Sequence, residues 1–164
     1  MGVNRFLPHV LVLPEDDRNR QLANGFRLDP GVLAPKIQVL PPAGGWGEVL
    51  TRFKSDHVGD MDAHPLGFMV LLIDFDNKED RLGKVKAEIP GRLKDRVFVL
   101  GVWSEPEKLN AALGRPGYES IGLAMARDCR EGTETTWSHD LLRHNAAQFA
   151  RLRQYVRPIL FQPV

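Results

Sequence analysis

The chain has a single cysteine, Cys129, among its 164 residues. An intrachain disulfide is therefore excluded, and the cytoplasm is the expected location. No apolar run approaches the roughly 20 residues that would span a bilayer, so no membrane association is expected. Neither charge is in excess, since 22 Lys and Arg oppose 21 Asp and Glu for a formal net charge of +1. That balance excludes a global attraction to nucleic acid, which would have to be held by a local basic patch. The histidines His57, His64, His139 and His144 lack metal-binding spacing and Cys129 has no thiol partner, which argues against zinc and leaves them surface or capping roles. The first residues carry one arginine and a short apolar run that ends in acids, with no small-residue cleavage site, so no signal peptide is expected. Phe6 stands where a myristoylation signal needs Ser or Thr.

What is present is an alternation of short apolar runs with amphipathic segments. Residues 9–13 (HVLVL), 37–40 (IQVL), 68–73 (FMVLLI) and 96–103 (RVFVLGVW) read as strands. Each is followed by a helical pattern: 18–26, 48–54, 81–89, and a segment opened by Ser104 as cap with Glu105, Pro106 and Glu107 in its first turn. Four strand-then-helix units predict an α/β three-layer sandwich with a mostly parallel central sheet of about four strands. The polar stretch 55–65 reads as a loop or frayed helix end. Beyond a core of about 8–113, residues 118–130 and 138–156 read as two helices of a C-terminal helical extension (about 118–157), and 159–161 as a short edge strand. The length suits one domain.

In an open parallel sheet the strand carboxyl ends share one rim, and ligands bind in the crevice there. Acids crowd those ends: Glu15, Asp16 and Asp17 after the first strand, Asp74 and Asp76 after the third, Glu105 after the fourth. Ionised carboxylates gathered at a buried edge need a cation, a set of donors or water. A hard divalent ion with oxygen ligands is the simplest compensation, and such ions also stabilise the attacking and leaving oxygens of a phosphodiester. Arg18 and Arg20 on one flank, and Lys78, Arg81 and Lys84 on the other, either steer a nucleic-acid backbone toward the rim or form solvated helix faces.

An acid after the first strand, followed about 60 residues later by Asp-x-Asp after the third, resembles the Toprim domain of topoisomerases, bacterial primases and OLD-family nucleases. The resemblance matches Glu15 to the family glutamate and Asp74 and Asp76 to its two aspartates, over approximately residues 8–113. It implies Mg²⁺ or Mn²⁺ held by Glu15, Asp74 and Asp76, with Asp16, Asp17 and Glu105 as second-rank ligands, and cleavage of a nucleic-acid phosphodiester. It further implies a setting in bacterial defence against phage, often beside an ATPase; separately, 164 residues leave little room for a DNA-clamping or motor domain, so a partner protein or homo-oligomer is expected to supply grip on the substrate. Asp16 stands where that family often has glycine, which leaves open whether Asp16 or Asp17 shares the place of the glutamate.

Other readings of the same residues remain. Asp16, Asp17, Asp74 and Ser104 also resemble the acids and hydroxyl of a receiver domain, which implies a non-catalytic regulatory or assembly module. Asp76 or Asn77 could simply cap the helix that follows, and the turn 43–47 (AGGWG) is either a tight turn or an amide cradle for a phosphate.

Overall fold

A computed structural model describes residues 2–162. Four strands form one sheet: β1 (His9–Pro14), β2 (Ile37–Val39), β3 (Gly67–Leu72) and β4 (Val97–Leu100). All pairings are parallel and the order is β2-β1-β3-β4. The α/β architecture with a parallel sheet therefore stands as the alternation of elements implies.

Strand side chains alternate between two cores, the period-2 consequence of pleating. Val10, Val12, Val70, Leu72, Phe98 and Leu100 face one layer, while Leu11, Leu13, Met69, Leu71, Val97 and Val99 face the other. The first layer holds α1 (Asp17–Arg27), α5 (Pro106–Ala112), α6 (Tyr118–Glu131) and α7 (Ala146–Tyr155), through residues such as Leu22, Leu109, Met125 and Phe149. The second holds α2 (Trp46–Arg52), α3 (Val58–Ala63) and α4 (Arg81–Ala87), through Val49, Met61 and Val85. Burial on both faces explains why the strands are continuous apolar runs. No helix among the described residues is long and apolar enough to cross a membrane.

The helix that positions the rim, α1, is locked by close approach to α6. A Cβ on Gly25 would lie 2.0 Å from the Glu119 carbonyl oxygen, and one on Gly122 would lie 2.0 Å from that of Leu22. Both positions therefore require glycine, and the two backbones touch where they cross.

Of the two readings of residues 55–65, loop or frayed helix end, the structure has the helical one: a wide helical turn, Phe53–His57, runs straight into α3. Buried Phe53 and Met61, with partly buried Val58 between them, supply a helical stripe that outweighs the polar composition. The span 138–156 is not one helix. Turns precede a 3-10 segment, Arg143–Asn145, and α7 begins only at Ala146. Asn145 is the cause: its side chain accepts from Gly101 N (3.2 Å) and donates to the carbonyls of Gly101 (2.9 Å) and Leu142 (2.8 Å), tying the chain to the end of β4. Residues 159–161 do not form an edge strand. They belong mostly to α8 (Arg157–Leu160), and strand character shrinks to one antiparallel bridge between Val32 and Phe161. The arginines of α7 and α8 are used internally: Arg151 lies over Phe98 (4.8 Å) and Arg157 donates to the Arg130 carbonyl (2.7 Å).

Candidate metal centre

The two middle strands, β1 and β3, are neighbours from which the chain departs in opposite directions, to β2 on one side and β4 on the other. This is the switch point at which open α/β sheets form a crevice. Glu15 follows β1 directly, and its backbone N–H extends the ladder by donating to the Leu72 carbonyl (2.9 Å). Asp74 follows β3, and its backbone N–H donates to Glu15 Oε2 (3.2 Å). Ladder geometry thus places the two acids side by side.

Asp16 joins them because it caps α1. Its backbone is extended (φ −145°, ψ −177°) and its Oδ1 accepts from Asn19 N at 2.9 Å, which swings the carboxylate over the first turn. Carboxylate oxygens of Glu15, Asp16 and Asp74 all lie within 4.8 Å of one another. Two ligands of one small ion at about 2.1 Å are at most about 4.2 Å apart, so separations at the upper end of this range must shorten slightly for one ion to take all three. Such a group can hold a metal ion.

Burial sharpens the electrostatics. Glu15 is 7% exposed and Asp74 8%. Burial, reinforced by the charge of Glu15, pushes the Asp74 carboxyl up to about 8, against the lowering effect of a hydrogen bond from Asn19. Burial likewise raises Glu15, with the charges of Asp16 and Asp76 adding to it. Like charges thus meet in a partly desolvated site, and both carboxyls are held above their ordinary values when no cation is present. Among the described residues, none of the ion pairs includes Glu15, Asp16 or Asp74.

Asp76 is placed elsewhere. In an extended strand Asp74 and Asp76 would share a face, but Asp76 and Asn77 have φ of +48° and +58°, turning the chain out of the strand. The Asp76 carboxylate is half exposed and pairs with Arg81 Nη1 at 2.5 Å, outside the group of three. Neither Asp76 nor Asn77 caps α4, whose cap position is Asp80 without a side-chain bond. Asp17 is exposed and pairs with Arg20 at 2.5 Å. Glu105, not Ser104, occupies the cap position of α5, and it makes no side-chain capping bond. The Ser104 Oγ is buried without a partner.

The basic residues divide similarly. Arg18 is half exposed and pairs with Glu107 (2.7 Å), and Lys84 pairs with Asp80 (2.9 Å). Lys78 is exposed at the turn after Asp76. Arg81 is 9% exposed, donates to the Asp74 carbonyl at 2.8 Å, and stacks on Trp46 at 4.6 Å. It braces the backbone beneath the cluster rather than forming an open basic surface. The turn 43–47 wraps the same rim: Gly44 and Gly45, at φ +101° and +148°, donate to the Glu15 carbonyl (2.8 and 3.2 Å). Those amides are thus spent on the chain itself.

Two residues stand out only in three dimensions. Asn19 is fully buried, and its Nδ2 donates to Asp16 Oδ1 (3.0 Å) and Asp74 Oδ1 (2.8 Å). A signal existed in its register, since it heads the inward stripe of α1 that continues through Leu22 and Ala23. His144 is not a surface residue: its ring meets Phe75 at 4.8 Å and Trp103 at 5.2 Å, and burial depresses its basicity. No protein-family model matches the chain, and no curated protein or solved structure is significantly similar to it.

The donor set is entirely oxygen, rich in carboxylate, and lacks a cationic partner among the described residues. Hard divalent cations prefer that chemistry.

Proposed function

We propose that the chain is a metal-dependent phosphodiesterase acting on nucleic acid, a nuclease of Toprim type using Mg²⁺ or Mn²⁺. The observation that carries this reading is the convergence of Glu15, Asp16 and Asp74 at the switch point, two of them buried and none paired with a cation. A divalent ion bound there would stabilise charge on phosphoryl oxygens and activate water. The chain's own residues supply the rest. Glu15, Asp16 and Asp74 would hold the ion through their carboxylate oxygens, and its uptake would favour the ionised forms of the two buried carboxyls. Arg81 holds the Asp74 backbone in register, and exposed Lys78 offers a cation to the substrate backbone at the rim. Nucleic acid as substrate, and a defence setting with an ATPase partner or a second copy of the chain, rest on the resemblance of Glu15 and Asp74-x-Asp76 to the Toprim pattern.

Cleavage assays on DNA and RNA with Mn²⁺, Mg²⁺ or EDTA test the reading. Cleavage that requires the ion and is lost in both Glu15→Ala and Asp74→Ala, with folding retained, is the expected result. Metal-stimulated cleavage that survives both changes refutes it.

The sheet order supports a second reading. β2-β1-β3-β4 is the start of the doubly wound order 2-1-3-4-5, and the unpartnered Ser104 Oγ lies at the same rim. A receiver-like switch would take a phosphoryl group on Asp74 from a small phosphodonor. Against it, the sheet has four strands among the described residues and no lysine is paired with Asp74. Mass spectrometry after incubation with such a donor distinguishes the two.

A further inference from the structure

We infer that Asn19 is a fourth oxygen ligand of the metal centre, its amide turning over when the ion enters. The inference rests on the metal-centre reading. Three observations lead to it. First, Asn19 is fully buried at the cluster while its Oδ1 has no hydrogen-bond partner. A buried acceptor left unpaired is costly, and only the Nδ2 half of this amide is satisfied by the carboxylates it faces.

Second, its inner amide atom already occupies a ligand position. That atom, Nδ2, lies 3.0 Å from Asp16 Oδ1 and 2.8 Å from Asp74 Oδ1. Neighbouring ligands of an octahedral ion with bonds of about 2.1 Å are about 3.0 Å apart. Exchanging Nδ2 for Oδ1 by a half-turn about χ2 therefore puts an oxygen where such an ion requires one, with little movement of the backbone.

Third, the charge at the cluster decides the orientation. In the present rotamer Nδ2 faces the carboxylates and Oδ1 faces away from them, unpartnered. Facing carboxylates alone, the NH₂ group points inward and donates. Facing a cation held by those carboxylates, the carbonyl oxygen points inward and the NH₂ group withdraws. The centre then offers three carboxylates and one neutral oxygen, a set suited to a hard divalent ion and leaving further positions for water or a phosphoryl oxygen.

Calorimetric titration of Mn²⁺ into wild type, Asn19→Ala and Asn19→Asp tests this, alongside NMR of the Asn19 side-chain NH₂ signals as Mg²⁺ is added. Asn19→Ala is expected to weaken Mn²⁺ binding by about tenfold to a hundredfold, the scale seen when a supporting group of a metal site is removed. Asn19→Asp, which keeps an oxygen but loses both donors, is expected to bind at least as tightly as wild type. The wild-type NH₂ signals should shift on Mg²⁺ saturation as their two carboxylate acceptors are lost. A purely structural latch behaves oppositely, with Asn19→Asp as damaging as Asn19→Ala and the NH₂ signals unmoved; either result overturns the inference while leaving the metal centre standing. If wild type binds neither ion, the metal centre itself falls and this inference with it. Should Asn19→Ala not fold, the Asn19→Asp affinity and the NH₂ signals decide alone.

Discussion

Replacing Asp74 by Asn should stabilise the metal-free protein, and only at high pH. Asp74 sits 8% exposed beside Glu15, with its carboxyl raised from an ordinary 3.8 to about 8. A carboxyl whose folded value is raised binds its proton more tightly when folded. Its contribution to stability is therefore fully present below about 4 and is lost as the pH rises through about 8. From 3.8 to about 8, at about 1.4 kcal/mol per pH unit, the ceiling is about 6 kcal/mol. Relaxation of the pair and entry of water reduce this, and about 1–3 kcal/mol is expected at pH 8.5. Asn is isosteric and neutral, and its Oδ1 can still accept from Asn19. In EDTA, Asp74→Asn should thus match wild type near pH 4.5 and exceed it at pH 8.5 by about 3–9 °C in Tm, at about 3 °C per kcal/mol for a chain of this size. Thermal denaturation by circular dichroism across that range is the assay. The difference between variant and wild type is the quantity to follow, since other carboxylates titrate in both. A difference that does not grow with pH would refute the raised carboxyl of buried Asp74.

Saturating Mn²⁺ should raise the wild-type stability at pH 8, by about 2.7 kcal/mol at a hundredfold excess over Kd; the gain should vanish in Glu15→Gln and Asp74→Asn and weaken at pH 6, where protons compete for the same oxygens. Differential scanning fluorimetry reads all three. Gly122→Ala drives a methyl into the Leu22 carbonyl, 2.0 Å away, and should cost about 1–3 kcal/mol in denaturant unfolding, a loss that Ser at the exposed Gly47 would not reproduce. Arg81→Ala removes the bonds to the Asp74 carbonyl and the Asp76 carboxylate and should cost about 2–3 kcal/mol, together with a weaker Mn²⁺ affinity in the same titration.

Most of the fold was legible because its strands are buried on both faces. Runs such as FMVLLI announce themselves by apolar continuity, and the structure places that strand at Gly67–Leu72. The C-terminal third was harder for a physical reason. Residues 138–156 carry a helical apolar pattern, yet Asn145 prefers three hydrogen bonds to the end of β4 and to Leu142 over continuing the turn. That preference depends on a neighbour more than 40 residues away, and periodicity carries no trace of it. The polar stretch 55–65 read as either a loop or a frayed helix end, and two buried anchors, Phe53 and Met61, decide for helix.

At the rim, sequence spacing finds which acids lie at strand ends but not where each points. Glu15 and Asp74 are fixed by the β1–β3 register, which strand alternation anticipates. The choice between Asp16 and Asp76 is made by two local backbone events. Capping by Asp16 turns one carboxylate inward, and left-handed φ at Asp76 turns the other outward to Arg81. Capping of a helix is written in the sequence, because an Asp two residues after a proline-terminated strand and three before Asn19 is a recognisable start. A positive φ at aspartate is not, because it is imposed by the ladder of Phe75 and Asp76 with Val102 and Ser104 at 3.1 Å each, contacts that exist only once β4 has docked. Asp-x-Asp therefore marks this strand end correctly while its second aspartate serves the arginine brace, and the third carboxylate of the group comes from the helix cap.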